Sequence, residues 1–547
     1  MRRLWEDVHR RQAIWVRVVA YTWLLVMFGL MLSSALQKSP TVDEDNHLTR
    51  GLAFLRTGDP RLRLEHPPLV NSLAALPILL DPLAQVPADL GAWQAGDWYE
   101  VADTVVWGRG AAADAVINTS RVPIMLLALL LGAIVFRWAD EMYGVDAALL
   151  ALTLYAFDPN ILAHARLNTN DLGVTLFVFL TGYAAWRWLR RPPRLRSTLL
   201  TGCLIGLALG SKYLALILVL FFGLLMLIDR PTDSGGWRDR CRRFGWLALM
   251  GVAATLTLWA LYGLHWDSPW PGGTTRWPLG LYLRGAVDAA GRAGTGQASF
   301  LLGQSSNGFW YYFPVAFLVK TPIPTLLLLV GAAVLTLRER SFPREAVLLF
   351  PCLGYLLVLM LSSFNLGYRH LLPMLPFLFT FAGKMAAKLK AGPLLLRSLG
   401  WLLPAWLIAA SFVIWPHYLA YFNEAVGGPS NGHKIVVDSN IDWGQDLLGL
   451  EQYLNQEGIT RLRLSYFGPD RPGYLGIDVE PLPGLPPTSD LWRDPPFNPE
   501  NPEPGIYAIS VTNLQELFFI EKRVYPWFRA REPDAVIGYS IHVYRVE

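Results

Sequence analysis

Apolar residues run along this chain in blocks nearly free of charge, separated by basic or turn-rich stretches. A helix rising 1.5 Å per residue needs about 20 such residues to cross a ~30 Å hydrocarbon core. The blocks therefore predict eleven membrane spans, at 13–36, 121–138, 146–164, 171–188, 197–211, 213–229, 244–265, 315–337, 345–363, 370–387 and 396–415. The first apolar stretch, Ala13 to Leu36, is longer than the roughly 7–15-residue core of a secretion signal and is followed by no convincing A-x-A cleavage site. It reads as an uncleaved anchor. After residue 415 the pattern changes. β-type runs at 434–440, 461–467, 505–512 and 537–546, a helix at 445–456 and a proline-rich loop at 481–504 predict a small α/β domain. The expected organisation is thus an α-helical polytopic membrane domain over 1–415, containing a large extracytoplasmic loop at 37–120, followed by an extracytoplasmic domain over 416–547.

Composition agrees. Of 547 residues, 53% are hydrophobic and 16% charged, against about 25% charged in a typical soluble protein. A soluble enzyme is excluded. The net charge of +4 comes from basic residues clustered between apolar blocks, which leaves no footprint for nucleic acid. Those clusters report topology instead. Arg2, Arg3, Arg10, Arg11 and Arg17 precede span one, Arg187, Arg190, Arg191, Arg194 and Arg196 follow span four, and Arg230, Arg238, Arg240, Arg242 and Arg243 follow span six. Arg338, Arg340 and Arg344 and then Lys384, Lys388, Lys390 and Arg397 fall on the same side. Basic loops stay in the cytoplasm, so the N-terminus is expected inside, the C-terminus outside, and the protein in the plasma membrane as a multi-pass chain. Cys203, Cys241 and Cys352 form no CxxC pair or zinc spacing. The 22 tryptophans fit an interfacial aromatic belt.

The expected outer face collects the unusual residues. Span one is followed by Asp43, Glu44, Asp45 and His47, then by Gly58-Asp59-Pro60 and Glu65-His66-Pro67-Pro68-Leu69 ahead of a surface helix at 68–80. Asp171 opens span four. Lys212 and Tyr213 lie in a tight outer turn, where the positive-inside bias opposes a cation. Lys320 sits near the outer end of span eight, where burying a charge is costly. Arg369 and His370 enter span ten at headgroup depth, and an arginine there suits a phosphate. Carboxylates at a membrane surface beside cations are what a transferase with a lipid-phosphate-linked donor needs. One carboxylate takes the proton of the acceptor hydroxyl, and the cations neutralise charge growing on the departing phosphate. A single carboxylate base without a covalent intermediate would invert the anomeric centre.

Two other readings use the same residues. Asp43, Glu65 and His66 could hold a divalent cation, though they form no compact ligand motif and leave the identity of any metal unknown. A transporter or flippase of lipid-linked sugars would also want headgroup-level cations, but would place charges on both sides of a midplane pathway.

At these residues the chain resembles the protein O-mannosyltransferases and their bacterial relatives, the phospholipid-carrier-dependent transferases of glycosyltransferase family 39 in the GT-C superfamily. Asp43-Glu44 resembles that family's acidic pair, and Gly58-Asp59 with His66-Pro67-Pro68-Leu69 its G-D…(K/H)-P-P-L segment. The likeness continues through Tyr311-Tyr312-Phe313-Pro314, Lys320-Thr321-Pro322 and Asn365 to Pro373. It covers about residues 1–415. The resemblance implies a GT-C fold, a polyprenyl-phosphate sugar donor with a mannose-like hexose, Asp43 as base and Glu44 beside it as an orienting group. Where aminoarabinose-transferring relatives carry lysine before Pro-Pro-Leu, this chain has His66, a weaker anion partner when neutral. Protein, lipid or glycan all stand as acceptor classes. The tail, with Asp442-Trp443-Gly444-Gln445, combines an aromatic plane with polar groups as acceptor binding would use.

Overall fold

A computed structural model describes residues 2–59, 62, 66–87, 89–228, 237–270, 272–484, 497–520 and 522–547. Glu65, Arg230 and residues 485–496 of the proline-rich loop lie outside the described residues. The architecture is a helical membrane bundle carrying a small sheet at its C-terminal end. Among the described residues six helices are long and apolar enough to span a bilayer: Ile14–Ala35, Ala113–Tyr143, Asn170–Leu189, Cys241–Leu261, Phe342–Leu361 and Leu394–Ile414. Two bent pairs join them. Val145–Ala156 and Pro159–Ala165 meet at 60°, and Tyr312–Lys320 and Ile323–Glu339 at 112°.

The expected spans at 197–211 and 213–229 are shorter apolar helices, Leu195–Leu209 and Ala215–Met226. Fifteen residues rise only ~22 Å, short of the ~30 Å core. The span expected at 370–387 opens as a 3-10 segment, Tyr368–Met374, before the helix Leu375–Gly383. Pro373 and Pro376, which lack the amide hydrogen an α-helix needs, account for that.

The breaks are where the membrane part is most specifically built. Asp158 caps the second half of its bent pair by accepting from the backbone of Asn160 (2.9 Å) and Ile161 (3.0 Å). At the sharper bend Thr321 is extended ahead of Pro322, which would strand carbonyls in an apolar setting. Asn160 donates to the Lys320 carbonyl (2.8 Å), while Asn423 from the tail donates to those of Leu318 (2.6 Å), Val319 (2.9 Å) and Thr321 (3.0 Å). The Lys320 ammonium in turn donates to the carbonyls of Leu419 and Tyr421 (3.0 Å each) and Asn440 (2.5 Å), and lies 4.4 Å from the Phe422 ring centroid. It fastens the bend to the tail.

Residues 416–446 therefore belong to the end of the bundle, with Val436, Val437, Ile441 and Trp443 in one continuous core with the membrane helices. The sheet follows the helix Leu447–Glu457. Its five strands are β1 (Arg461–Ser465), β2 (Asp478–Pro481), β3 (Gly505–Ser510), β4 (Ala535–Ile537) and β5 (Ile541–Val546), in the order β2-β1-β3-β5-β4. The pairs β1–β2 and β1–β3 are parallel; β3–β5 and β4–β5 are antiparallel. The β-type run at 434–440 is not a strand. It forms 3-10 turns at Pro429–Lys434 and Asp438–Asn440, because its apolar residues are buried in the bundle core and Ile435 accepts instead from the Leu302 backbone (2.8 Å).

One buried ion pair anchors the chain between the first two long spans. Glu44 is fully buried and accepts from Arg121 Nε (2.8 Å) and Nη2 (2.6 Å), from the Asn168 backbone (2.8 Å) and from the Thr41 backbone (2.9 Å). Burial opposes ionisation of Glu44, yet Arg121 beside it prevails and holds the carboxyl below its ordinary range. Removing one partner leaves the other charged in an apolar site. Arg121→Met is expected to cost about 3–5 kcal/mol in detergent-solubilised unfolding. Lys390→Ala, which breaks the exposed Lys390–Asp146 pair, should stay within about 1 kcal/mol of native.

The tail's acids add a pH dependence. Burial pushes Asp442 and Asp470 up to about 7, whereas Asp446 is lowered to about 2, since the Lys38 ammonium beside it overcomes the burial cost. For the raised pair the folded state holds protons that the unfolded chain releases near pH 4, so the stability they contribute is lost as pH rises through about 7. Asp446 acts only in the window from about 4 down to about 2. The stability of the native protein relative to Asp442→Asn, which keeps the acceptor for the Thr512 amide and has no proton to lose, should therefore fall as pH rises from 5 to 7.5, read as the difference between their unfolding midpoints.

Candidate active site

The site is assembled from chain segments that leave or enter helices at one end of the bundle. Asp43 is the residue before the helix Glu44–Thr57, and its carbonyl accepts from the His47 backbone (3.1 Å) in the first turn. That helix lies against Pro68–Ala75 so closely that a Cβ at Gly51 would sit 2.0 Å from the Asn71 carbonyl oxygen. The close approach brings the Asn71 side chain to His47 Nδ1 (3.0 Å) and stacks His47 on His66, with ring centroids 5.3 Å apart. Asp171 opens the helix Asn170–Leu189, whose positive end favours a carboxylate. Gly367, at φ 90°, has no room for a Cβ against Ser439 Oγ and turns the chain into Tyr368 and Arg369.

These segments create a row of alternating charges. Asp43 Oδ2 accepts from Arg369 Nη1 at 2.9 Å; the same nitrogen lies 3.9 Å from Asp171 Oδ2; and Asp171 Oδ1 accepts from Lys212 Nζ at 2.6 Å. The Arg369 guanidinium is further fixed by the Leu366 carbonyl (3.1 Å) and by the Trp443 ring, whose centroid is 4.4 Å away. Asp43 remains the most open of the four, its side chain 35% exposed against 3% for Asp171.

All four border a cavity of about 750 Å³. Tyr213, His66 and His370 border it as well, and the tail supplies Asp438, Trp443 and Phe518. Burial drives both neighbouring imidazoles toward the neutral form: His47 falls to about 4, and His66 lies well below its ordinary range, with His47 adding to its shift. His66 thus faces the cavity as a hydrogen-bonding group without charge. Burial also raises Asp438 to about 6 against the pull of Arg369.

Of the residues singled out in the sequence, the structure brings Asp43, His66, Asp171, Lys212, Tyr213, Arg369 and His370 to this one cavity. It does not bring Glu44, which is saturated by Arg121 and backbone amides, or Lys320, whose ammonium is enclosed by three carbonyls. Among the described residues no group of three or more His, Cys, Asp or Glu side chains stands close enough to hold a metal ion.

Three further residues reach the site with no role assigned to them from the sequence. His47 follows Asp43 by one helical turn, a spacing that marks a shared face once the helix at 44–57 is recognised. Asn170 lines the cavity, is buried to 2% exposure, and its Oδ1 and Nδ2 find no partner among the described residues. A buried amide without partners at a cavity wall is placed to meet a ligand. Asp438 comes from a turn that reads as a strand in the sequence. Within the expected sugar-binding cluster the structure separates roles: Trp443 faces the cavity, whereas Asp442 accepts from the Thr512 amide and Gln445 donates to the Ile441 carbonyl.

Comparison with known proteins bears on the fold. Residues 113–262 match the family described as dolichyl-phosphate-mannose-protein mannosyltransferase. No curated protein matches the chain in sequence. Among solved structures, ArnT from Cupriavidus metallidurans in the apo state is similar at 13% identity and a TM-score of 0.50, over 97% of this chain and 98% of that one. ArnT from the same organism bound to undecaprenyl phosphate is similar at 13% identity and a TM-score of 0.49, over 96% and 97%. An oligosaccharyltransferase from Archaeoglobus fulgidus, in complex with zinc and sulfate, matches over 73% of this chain and 52% of its own, at 13% identity and a TM-score of 0.43. A bundle of membrane helices with a small terminal sheet, alike over nearly its whole length to an ArnT and carrying a protein-mannosyltransferase-like segment, makes this chain a multi-pass membrane protein of the GT-C glycosyltransferase fold.

Proposed function

We propose that this protein is a membrane glycosyltransferase that moves a sugar, a mannose-like hexose, from a polyprenyl-phosphate carrier to an acceptor hydroxyl with inversion. The observation that carries the reading is the meeting of one accessible carboxylate, Asp43, with the cations Arg369 and Lys212 in a single cavity. The match of 113–262 to a family described by dolichyl-phosphate-mannose supports the carrier and the sugar. The arginine-rich loops at the other ends of the helices support an extracytoplasmic site, with the N-terminus in the cytoplasm.

The chemistry follows from the charges. Asp43 takes the proton of the acceptor hydroxyl, whose oxygen forms a bond to the anomeric carbon as the bond from that carbon to the phosphate oxygen breaks. The electron pair leaves with the phosphate. Arg369 and Lys212 neutralise the charge that grows there, and Arg369 offers the planar fork of donors suited to phosphate oxygens. Asp171 acts as a positioning residue, since its two oxygens face both cations and hold them on one wall. Asn170 and neutral His66 supply hydrogen-bonding groups without charge, as sugar hydroxyls require.

Radiolabelled polyprenyl-phosphate-mannose in proteoliposomes, offered peptides, lipids and glycans, tests the reading. Label should move to an acceptor with the native protein and fall by ~10²-fold or more with Asp43→Asn, which keeps the shape and removes the base. Unchanged transfer in the variant would exclude Asp43 as base. Label that crosses the bilayer on its intact carrier would identify a flippase instead.

A further inference from the structure

A second cavity, of about 850 Å³, lies in the C-terminal part beside the end of the last membrane helix. Its wall is rich in groups that hydrogen-bond and poor in aliphatic side chains. Lys434, Arg529 and Arg531 bring three cations against one acid, Glu532. Arg529 is steered by Glu516 (3.2 Å), and Arg531 lies on the Trp527 ring at 3.6 Å, so two exposed guanidinium groups each have a partner that orients them. Between them His433 and His542 pack edge to face at 4.8 Å, and Tyr539 and Tyr544 add hydroxyl-bearing rings. Burial lowers His433 to about 4 and His542 to about 3, which leaves both imidazoles as neutral donors and acceptors near pH 7.

Two stretches of chain connect this cavity with the candidate active site. The loop that contributes His433 and Lys434 to the second cavity continues to Asp438 and Trp443 in the first. The segment that turns Leu514 and Gln515 toward the second presents Phe518 to the first. That dividing wall is rigid: Thr512 fixes Asp442 and the Asp438 amide, and buried Glu516 accepts from the backbones of Val524 (2.9 Å) and Tyr525 (2.8 Å).

We propose that the second cavity binds an anionic saccharide. Rings and neutral polar groups suit sugar faces and hydroxyls, while the clustered cations select a carboxylate or phosphate carried on them. The scarcity of aliphatic wall disfavours an acyl chain.

Binding is read by calorimetry on the full chain in nanodiscs of neutral phosphatidylcholine, with no donor present. The probes are trigalacturonate, a phosphorylated maltotriose and neutral maltotriose. At least one anionic probe should bind tenfold or more tightly than maltotriose, and comparing the two tells carboxylate from phosphate as the recognised group. Lys434→Glu with Arg531→Glu, both at exposed positions, should weaken it tenfold or more without moving the unfolding midpoint, and Lys390→Ala, which removes an exposed cation that lines neither cavity, should leave it unchanged. Equal binding of neutral and anionic probes, no binding, or indifference to the charge reversal would overturn the proposal. Loss of saccharide binding when phosphatidylglycerol replaces the neutral lipid would do so too, by assigning the cavity to lipid headgroups. Because transfer and binding are measured separately, failure of one leaves the other standing.

Discussion

Arg369 touches one carboxylate and faces a second that come from distant parts of the chain, Asp43 after the first span and Asp171 at the head of another. The constraint it answers recurs at this end of the bundle: a charge taken out of water needs an opposite charge or a shell of dipoles. Glu44 meets Arg121, Lys38 meets Asp446, Lys320 meets three carbonyls, and Asp171 meets Lys212. Three of these sets are closed, with little surface left to a ligand. The row from Asp43 to Lys212 differs because it borders a cavity, and Asp43 keeps part of its carboxylate open. Neighbouring acids thus take different parts. Asp43 and Glu44 are adjacent in sequence, yet one faces the cavity and the other pins the first loop to the bundle.

How much of this was legible beforehand follows from what each signal depends on. Apolar length depends only on local composition, so the helical membrane architecture could be read along the chain. Whether a block is one straight helix depends on single residues, and Pro159, Pro322 and Pro373 bend or tighten segments that look continuous in hydropathy. Of the seven candidate side chains that reached one cavity, Asp43, Asp171, Lys212 and Arg369 stood out because charge at membrane depth is rare enough to mark a function. Lys320 carried the same mark for another reason: it serves the bend at Thr321, which hydropathy does not reveal. His47 and Asn170 left no such mark, since a histidine or an asparagine near a helix start is ordinary.

The tail shows the same division. Its strands at 461–465, 505–510 and 541–546 followed from alternation and turn residues, whereas Ile435, Val436 and Val437 look like a strand and instead join the membrane core. The turn they form carries Asp438 and Trp443 to the cavity. Sheet and bundle are consequently tied through 416–446, and the tail walls the site rather than hanging from it.

The affinity for a short-chain polyprenyl phosphate, compared between the native protein and Arg369→Gln in the same nanodiscs, bears most directly on the claim that this row of charges receives a phosphate. A charge-assisted hydrogen bond contributes about 1.5–3 kcal/mol, so the variant should bind about 10- to 100-fold more weakly per folded molecule, with a lowered unfolding midpoint because Asp43 and Asp171 lose a buried cation. Equal affinity in the two proteins would contradict it.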